Sequence, residues 1–282
     1  MPAASAPLPH LRSRRWLTRA RGHLILIALS LLSVLPLYWM MVTSLRPENE
    51  IFSTVPWPRH PSLANFTRLL TEVPFGRMIL NTFVVSLAVA LGQLLTAMLA
   101  GYAFARWQGR LSRAVFALLT ATWLIPQQVI MIPNYALVSR LGLLDTLPAL
   151  IIPNLASAFA IMLLYQSFRS FPRELIEAAV VDGASHWVLL WKIIAPNMGA
   201  ALASTGILIF VSTWNEYFWP LLVTRSMDNA VIQIGLQMFF TSEGNLWGPL
   251  MAAATLASLP ILLIYIVLQK QIVGSFLKSG LR

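Results

Sequence analysis

The sequence predicts an all-α polytopic membrane protein with six transmembrane helices. Six tracts contain no Asp, Glu, Lys or Arg: 22–45, 78–105, 114–139, 146–168, 193–215 and 244–269. Each is longer than the roughly 20 residues that an α-helix needs to cross the hydrocarbon core. Only 11% of the residues are charged, against about 25% in a typical soluble domain. A soluble fold is excluded, because it would have to bury six helices with almost no polar surface.

The distribution of basic residues predicts the orientation. With six crossings, 14 of the 20 Lys and Arg residues fall on the side of the two termini, beginning with Arg12, Arg14, Arg15, Arg19 and Arg21. Basic residues near span ends remain on the cytoplasmic side. We therefore place both termini in the cytoplasm. The net charge of +10 reflects this asymmetry in the lipid bilayer and does not indicate a nucleic-acid partner.

The predicted spans are, in order, 23–44, 78–104, 113–136, 147–168, 199–223 and 249–270. Pro126 and Pro133 are expected to interrupt the third span near its outer end, because proline cannot continue the helical hydrogen-bond ladder. We divide the chain into a basic cytoplasmic tail (1–21), a first span with an external segment (22–76), a five-helix core (77–270) and a cytoplasmic C-terminal tail (271–282). A short external helix is expected to start within 62–66.

The loop 169–196 predicts two short helices lying along the cytoplasmic interface. Ser170 is expected to cap the first helix, and Asp182-Gly183 to end it, since glycine readily adopts the left-handed conformation. Ser185 is expected to cap the second helix, and Pro196 to break it before the fifth span. We interpret His186, in the same loop, as an ordinary surface histidine.

This loop resembles the "EAA" motif of the membrane subunits of ABC importers. The matching positions are Glu177, Ala178, Ala179, Gly183, Ile193 and Pro196, with Ala195 in place of the usual leucine. Trp214-Asn215-Glu216-Tyr217, Leu259-Pro260 and 269–274 are similar to the carbohydrate-uptake, maltose-permease-like family, and six spans suit its shorter permease. Val73-Pro74-Phe75 and 243–249 resemble glycerol-phosphate-type members. The tail 278–282 departs from the family pattern.

The resemblance implies a permease subunit in a bacterial inner membrane that imports a sugar, oligosaccharide or polyol phosphate. Its expected partners are a second permease in a heterodimer, two cytoplasmic ATPase subunits and an extracytoplasmic solute-binding protein. ATP and Mg would be bound by the ATPase, so this chain is expected to be no enzyme and to hold no cofactor. The residues expected to couple to the ATPase are Arg173, Glu174, Glu177, Ala178, Ala179, Asp182, Gly183, Ala184, Ile193 and Pro196.

Polar residues inside spans are costly, so they indicate either a wet path or a contact between helices. Candidates for the translocation path are Gln127, Asn134, Trp214, Asn215 and Glu216. Glu216 either lines the path or forms a hydrogen-bond tie between helices, and Trp214 either stacks on a sugar or anchors the helix at the interface. We interpret Asn81, Gln93 and Asn154 as packing ties.

Three other functions remain as alternatives. An ion-gradient-driven secondary transporter would need several intramembrane ionisable groups, and Glu216 is the one acid within a predicted span. An intramembrane enzyme would need a catalytic cluster, but the sequence has no cysteine and its four histidines are far apart. An assembly scaffold would carry no solute across the bilayer.

Overall fold

The structure is a computed structural model. It describes the backbone of residues 9–241 and 244–280, and the side chains from Arg21 to Gln269 except 241–243 and 245. The fold is all-α, as the sequence predicts, with one pair of two-residue strands, β1 (Phe240–Thr241) and β2 (Gly244–Asn245). Within these residues three helices could each span a membrane, and up to six spans result if each of three bent helix pairs is one span. The basic residues Lys278 and Arg282 lie outside the described side chains.

The helices that follow one another along the chain are α1 (Pro9–Ser44), α2 (Ala64–Glu72), α3 (Phe75–Arg106), α4 (Arg110–Thr122), α5 (Gln127–Arg140), α6 (Leu147–Ile151), α7 (Ala158–Arg169), α8 (Arg173–Val181), α9 (His186–Val188), α10 (Ala195–Asn197), α11 (Gly199–Trp214), α12 (Phe218–Val223), α13 (Ile232–Gln237) and α14 (Trp247–Gly280). Short 3₁₀ turns lie at Glu48–Glu50, Ile152–Asn154 and Met227–Asn229. A π-helix, Leu189–Ile194, joins α9 to α10.

The chain forms two compact units. The first contains residues 1–69 and 246–255. Its long helix α1 begins at Pro9, inside the predicted tail, because 11–21 is rich in Arg, Leu and Ala, which favour helix. From Leu24 to Leu35 the large apolar side chains of α1 are more than half exposed. An apolar surface of this extent is typical of a helix surrounded by lipid.

A buried arginine organises the segment between α1 and α2. Arg46 is fully buried, and its guanidinium donates hydrogen bonds to the carbonyl oxygens of Ser53 and Val55 and lies 4.7 Å from the centre of the Trp39 ring. Asn65 Nδ2 donates to the carbonyl oxygens of Ser44 and Arg46 at 2.9 and 2.8 Å. Burying a charge is costly unless it is hydrogen-bonded. The two terminal nitrogens of Arg46 are bonded to backbone carbonyls, while its buried Nε has no partner, so these carbonyl contacts fix the path of a proline-rich segment that has little regular structure.

The second unit contains residues 70–245 and 256–282, and α3 is its central helix. Helix α3 packs along both α7 and α11. Gly101 permits the close approach to α7, because a Cβ atom there would lie 3.1 Å from the backbone nitrogen of Tyr165 and 3.3 Å from the Phe168 ring. Small residues at such crossings are typical of membrane helix packing.

Polar side chains complete the packing of this unit. Asn81 Nδ2 donates to the carbonyl oxygens of Asp228 and Ala230, and Gln93 Nε2 donates to that of Asn154, each within 2.9 Å. Asn154 Nδ2 donates to Leu150 O at 2.9 Å. The interpretation as packing ties is confirmed for Asn81 and Gln93, whereas the side-chain bond of Asn154 is local, to a residue four positions earlier.

Three of the predicted spans are not straight helices. Helices α4 and α5 meet at 97° around Pro126, and Leu147–Asn154 meets α7 at 46°. Pro133 lies inside α5 without ending it, so the expected interruption there is wrong. The prediction of one helix over 199–223 is also wrong, since α11 ends at Trp214 and α12 begins at Phe218. A helix could not run on because Pro220 has no amide hydrogen and its ring would clash with the carbonyl of Glu216.

Candidate functional site

The loop 169–196 folds into two helical stretches, as predicted. Helix α8 occupies Arg173–Val181, and α9, the π-helix and α10 form one continuous stretch, His186–Asn197. This second stretch meets α11 at 81°. The bend falls at Met198, two residues beyond Pro196, because proline is tolerated in the first turn of α10.

Helix α8 ends in a glycine-dependent turn. Gly183 has a φ of +80°, its N–H donates to Val180 O at 3.0 Å, and the N–H of Ala184 donates to Ala179 O at 2.9 Å. This pair of hydrogen bonds defines a Schellman motif and confirms the predicted end at Asp182-Gly183. Ser185 caps the next helix as predicted, accepting a hydrogen bond from Val188 N at 3.3 Å. Ser170 instead closes α7, because its hydroxyl donates to Ser167 O, and Pro172 precedes α8.

His186 is exposed, as the sequence-based interpretation expects of a surface histidine, but its ring also contacts the end of α3. Its Nδ1 lies 2.9 Å from the Tyr102 hydroxyl near the end of α3, and its ring lies 5.2 Å from that of Trp107, centre to centre. The Tyr102 ring in turn meets Phe168 of α7 edge to face at 5.9 Å. We name Tyr102, Trp107, Phe168 and His186 the aromatic anchor. It fastens the start of α9 to the ends of α3 and α7.

The buried face of the loop adds an apolar seam to this anchor. Leu189, Leu190 and Ile194 are each at most 2% exposed. Ala179 is also buried, so its small side chain serves packing within this chain. Ile193 and Ala184 are half-buried, and Pro196 is exposed.

The opposite face of α8 is open. Arg173, Glu174, Glu177 and Ala178 are exposed, as is Asp182 at the end of the helix. Three large apolar residues of α8 are also exposed, since Leu175 is 49%, Val180 46% and Val181 87% exposed. Within the residues that the structure describes, nothing covers this mixed apolar and charged surface. Of the ten loop residues singled out in the sequence, the structure therefore places four, Arg173, Glu174, Glu177 and Ala178, at exposed positions of one helix.

Most translocation-path candidates lie at the ends of helices, and Asn134 lies inside α5. Gln127 is exposed at the start of α5 and Asn134 is half-buried in the same helix. Glu216 Oε1 accepts a hydrogen bond from Trp219 N at 3.2 Å, which is a local bond at the start of α12 and not a tie between helices. Asn215 Nδ2 donates to Val211 O at 2.8 Å. These four residues are accessible, although the structure does not bring them to one point.

Trp214 occupies a different environment. It is 1% exposed, its Nε1 donates to Ala257 O at 3.2 Å, and its ring stacks on Phe210 with centres 5.6 Å apart. In this conformation its ring faces protein and has no surface to offer a solute. Trp214 is therefore a packing residue between α11 and α14 in the second unit.

Sequence reasoning missed a set of hydrogen bonds near the start of α3, between Asp145 and the segment 225–229, which we name the polar clasp. Asp145 Oδ1 accepts hydrogen bonds from the backbone N–H groups of Arg225 and Ser226, both at 2.9 Å. These two N–H groups hold the pKa of the Asp145 carboxyl below its ordinary value of 3.8, and the N–H of Ser226 has the larger effect. Asn229 Nδ2 donates to Asp145 O at 2.7 Å. The one signal in the sequence is an Asp three residues after a glycine, in a turn, because the side-chain partners are 80 or more positions away.

The segment 225–232, which contains the partners of Asp145, also contacts the start of α3. Arg77 forms an ion pair with Asp228 at 2.8 Å, and Thr82 Oγ1 accepts a hydrogen bond from Ile232 N at 2.8 Å. The clasp and the aromatic anchor thus occupy the two ends of a 32-residue helix. At 1.5 Å per residue they lie on the order of 40 Å apart, roughly the thickness of a bilayer with its headgroups.

Comparison with known proteins identifies the family. Residues 93–277 match the family described as "Binding-protein-dependent transport system inner membrane component". The chain belongs to this family. It is therefore a membrane component of a transport system, and the resemblance to the carbohydrate-uptake permeases is confirmed by its relatives.

A lactose transport system permease protein, LacG, of Rhizobium radiobacter is 30% identical over 94% of this chain and 97% of its own length. An sn-glycerol-3-phosphate transport system permease protein, UgpE, of Rhizobium meliloti is 31% identical over 94% of this chain and 98% of its own. Both relatives match this chain over nearly their whole length.

Two solved structures show the fold. A chain of a bacterial ABC transporter involved in the import of the acidic polysaccharide alginate superposes with a TM-score of 0.78 at 24% identity, over 96% of this chain and 100% of that chain. A chain of an alginate ABC transporter in complex with an alginate pentasaccharide-bound periplasmic protein gives a TM-score of 0.66 at 17% identity, over 90% and 93%.

We predict that Gly183→Ala loosens the end of α8. An alanine in the left-handed conformation costs about 1–2 kcal/mol, whereas asparagine tolerates that conformation better. Hydrogen exchange at the amides of 183 and 184 is expected to accelerate in Gly183→Ala and much less in Gly183→Asn. Gly76→Ala is the matched control, since Gly76 has open space around it and a negative φ. Equal protection in Gly183→Ala and the wild type would contradict the turn's dependence on glycine.

We predict a pH-dependent contribution from Asp145. Because its pKa is depressed in the folded state, its stabilising effect is present above about pH 4 and disappears as the pH falls below that value. Asp145→Asn keeps a residue that tolerates the φ of +59° but removes the charge. The Tm of this variant should lie about 2–4 °C below that of the wild type at pH 7, and the difference should disappear as the pH falls through the depressed folded-state pKa of Asp145.

Asp228→Asn is the control for Asp145, because the Arg77–Asp228 pair is mostly exposed and exposed pairs contribute little. Thermal unfolding in detergent across the pH range measures both variants. A constant Tm difference for Asp145→Asn at every pH is inconsistent with a role for the carboxylate.

Proposed function

We propose that the chain is the permease subunit of an ATP-driven ABC importer and that α8 docks on the ATPase of that importer. The observation that carries this proposal is the EAA spacing on a helix whose outer face is open. Leu175 and Val181 offer apolar surface, Glu177 offers a charge, and Ala178 lets a partner approach the backbone. Exposed apolar residues rimmed by charges are typical of a protein-interaction site.

The proposed mechanism is mechanical. ATP and Mg bind to two ATPase chains, and their closure displaces α8. The apolar seam and the aromatic anchor pass this displacement to α3, because tightly packed interiors transmit strain. Together with a second permease, with which this chain forms a heterodimer, the moving helices open a cavity outward to receive the solute from an extracytoplasmic binding protein. Both termini of the chain lie in the cytoplasm.

The proposed solute is a sugar, an oligosaccharide or a polyol phosphate. The two relatives are named for lactose and sn-glycerol-3-phosphate transport, and both solved neighbours for alginate. The accessible path candidates Gln127, Asn134 and Asn215 carry amides, which both donate and accept hydrogen bonds. Such groups suit a solute rich in hydroxyl groups, and Glu216 adds one acceptor.

The docking role is tested by Glu177→Lys in the assembled transporter. Reversing a charge in a buried interface costs about 2–5 kcal/mol, so we expect retention of the ATPase on the tagged permease to fall by at least about 30-fold. ATP-driven solute uptake into proteoliposomes is expected to fall with it. The chain itself is expected to fold normally, because Glu177 is exposed.

Glu48→Lys is the matched control, since Glu48 is also exposed but lies between α1 and α2. It is expected to change ATPase retention less than two-fold, because Glu48 lies outside the loop that is proposed to dock. Full retention and full uptake in Glu177→Lys would refute docking through α8.

A further inference from the structure

A site with two arginines lies near the C-terminal end of α3 and does not include the residues expected to couple to the ATPase. A cleft of about 110 Å³ opens between the end of α3, the start of α4 and the end of α7. Its polar lining consists of Gln108, Ser112, Arg113 and Arg169. One water needs only about 10–15 Å³ of such space, so the cleft has room for a larger polar group.

The two arginines of the cleft are available to a ligand. Both Arg113 and Arg169 are exposed, and in the described part of the chain neither forms an ion pair with a carboxylate. Arg113 and Ser112 belong to the first turn of α4, which contains no acidic residue and no side-chain cap. The free backbone N–H groups of a helix start attract an anion and add to the two positive charges. The chemistry of the cleft therefore suits a phosphate group.

The floor of the cleft is aromatic. Phe116 lies between Phe104 and Tyr165, with ring centres 5.2 and 4.3 Å away. On α4, Leu111 and Leu118 are 79% and 70% exposed, next to this floor along the helix. A free phosphate ion gains nothing from such apolar surfaces, whereas the glycerol and acyl parts of a lipid would cover them.

We propose that this cleft binds the headgroup phosphate of an anionic phospholipid. The site lies where two apolar helices end in basic residues, which is the depth of the lipid headgroups. Basic pockets between membrane helices are known to bind anionic headgroups. The bound lipid bridges α4 to α7 across the cleft. This proposal concerns the bilayer and does not depend on docking of an ATPase.

The test is native mass spectrometry of the full-length chain with added phosphatidylglycerol or phosphatidylcholine. Removing both charges in Arg113→Gln/Arg169→Gln is expected to weaken phosphatidylglycerol binding by roughly 30-fold, about five-fold for each arginine. Phosphatidylcholine binding is expected to be weak and unchanged. Arg106→Gln/Arg110→Gln is the matched control, because it removes the same charge from neighbouring residues that do not line the cleft. This control is expected to change the affinity for phosphatidylglycerol less than three-fold.

Ser112→Trp gives a second variant that fills the cleft without removing charge, and it should reproduce the loss. Equal losses in the two double-arginine variants would overturn the site, since general attraction to basic residues would explain them. The lipid would be ruled out as the ligand by two results together. Inorganic phosphate would raise the Tm of the delipidated chain, and the cleft variants would bind phosphatidylglycerol as well as the wild type does. If the cleft variants keep their lipid binding but lose a protein partner, the arginines belong to a protein interface, and the lipid proposal is overturned.

Discussion

The hydrogen bond between Tyr102 and His186 is the contact on which the account of this protein depends. It joins the central membrane helix α3 to the first residue of the helical stretch His186–Asn197. Trp107 and Phe168 add ring contacts on the two sides of this bond, and the buried side chains of Leu189, Leu190 and Ile194 hold the same helical stretch against the bundle. A surface loop without such contacts would move independently of the bundle, and a displacement of α8 would then be lost in the loop.

In the proposed mechanism, the contacts of α3 within the second unit make it a suitable receiver of that displacement. Gly101 lets α3 approach α7 closely, and the hydrogen bonds of Asn81 and Thr82 fix its other end to the segment 228–232. Asp145 then joins that segment to the turn between α5 and α6. The two ends of α3 are thus each connected by polar contacts to a loop, with an apolar interior between them. This arrangement links the anchor side of the bundle to the opposite surface through one helix.

Much of this organisation could be predicted from the sequence because its causes are local. Uncharged tracts indicate where helices lie in the membrane, and Asp182-Gly183 and Ser185 mark helix ends through their own backbone preferences. The division of α11 from α12 could also have been predicted, since Pro220 forbids a helix through Glu216. The prediction failed there because the tract was assigned by its lack of charge alone.

The contacts between distant residues could not be predicted in the same way. Tyr102 and His186 are 84 positions apart, and the Asp145 carboxylate is bound by residues 80 and 81 positions away. Nothing in the local pattern distinguishes His186 from a solvated histidine or Trp214 from an interfacial tryptophan. The burial of Ala179 beside the exposed Ala178 likewise depends on which face of α8 meets the bundle. Such facts follow from the packing of whole helices.

The most direct test of mechanical coupling is the number of ATP molecules hydrolysed per solute transported in proteoliposomes. Tyr102→Phe keeps the ring and removes the hydroxyl that meets His186, so the ATPase should remain bound while the ratio rises by about five-fold, the equivalent of one hydrogen bond. His186→Phe should raise the ratio similarly, and the double variant no further than either single change. An unchanged ratio in all three variants, with the ATPase still bound, would contradict the account.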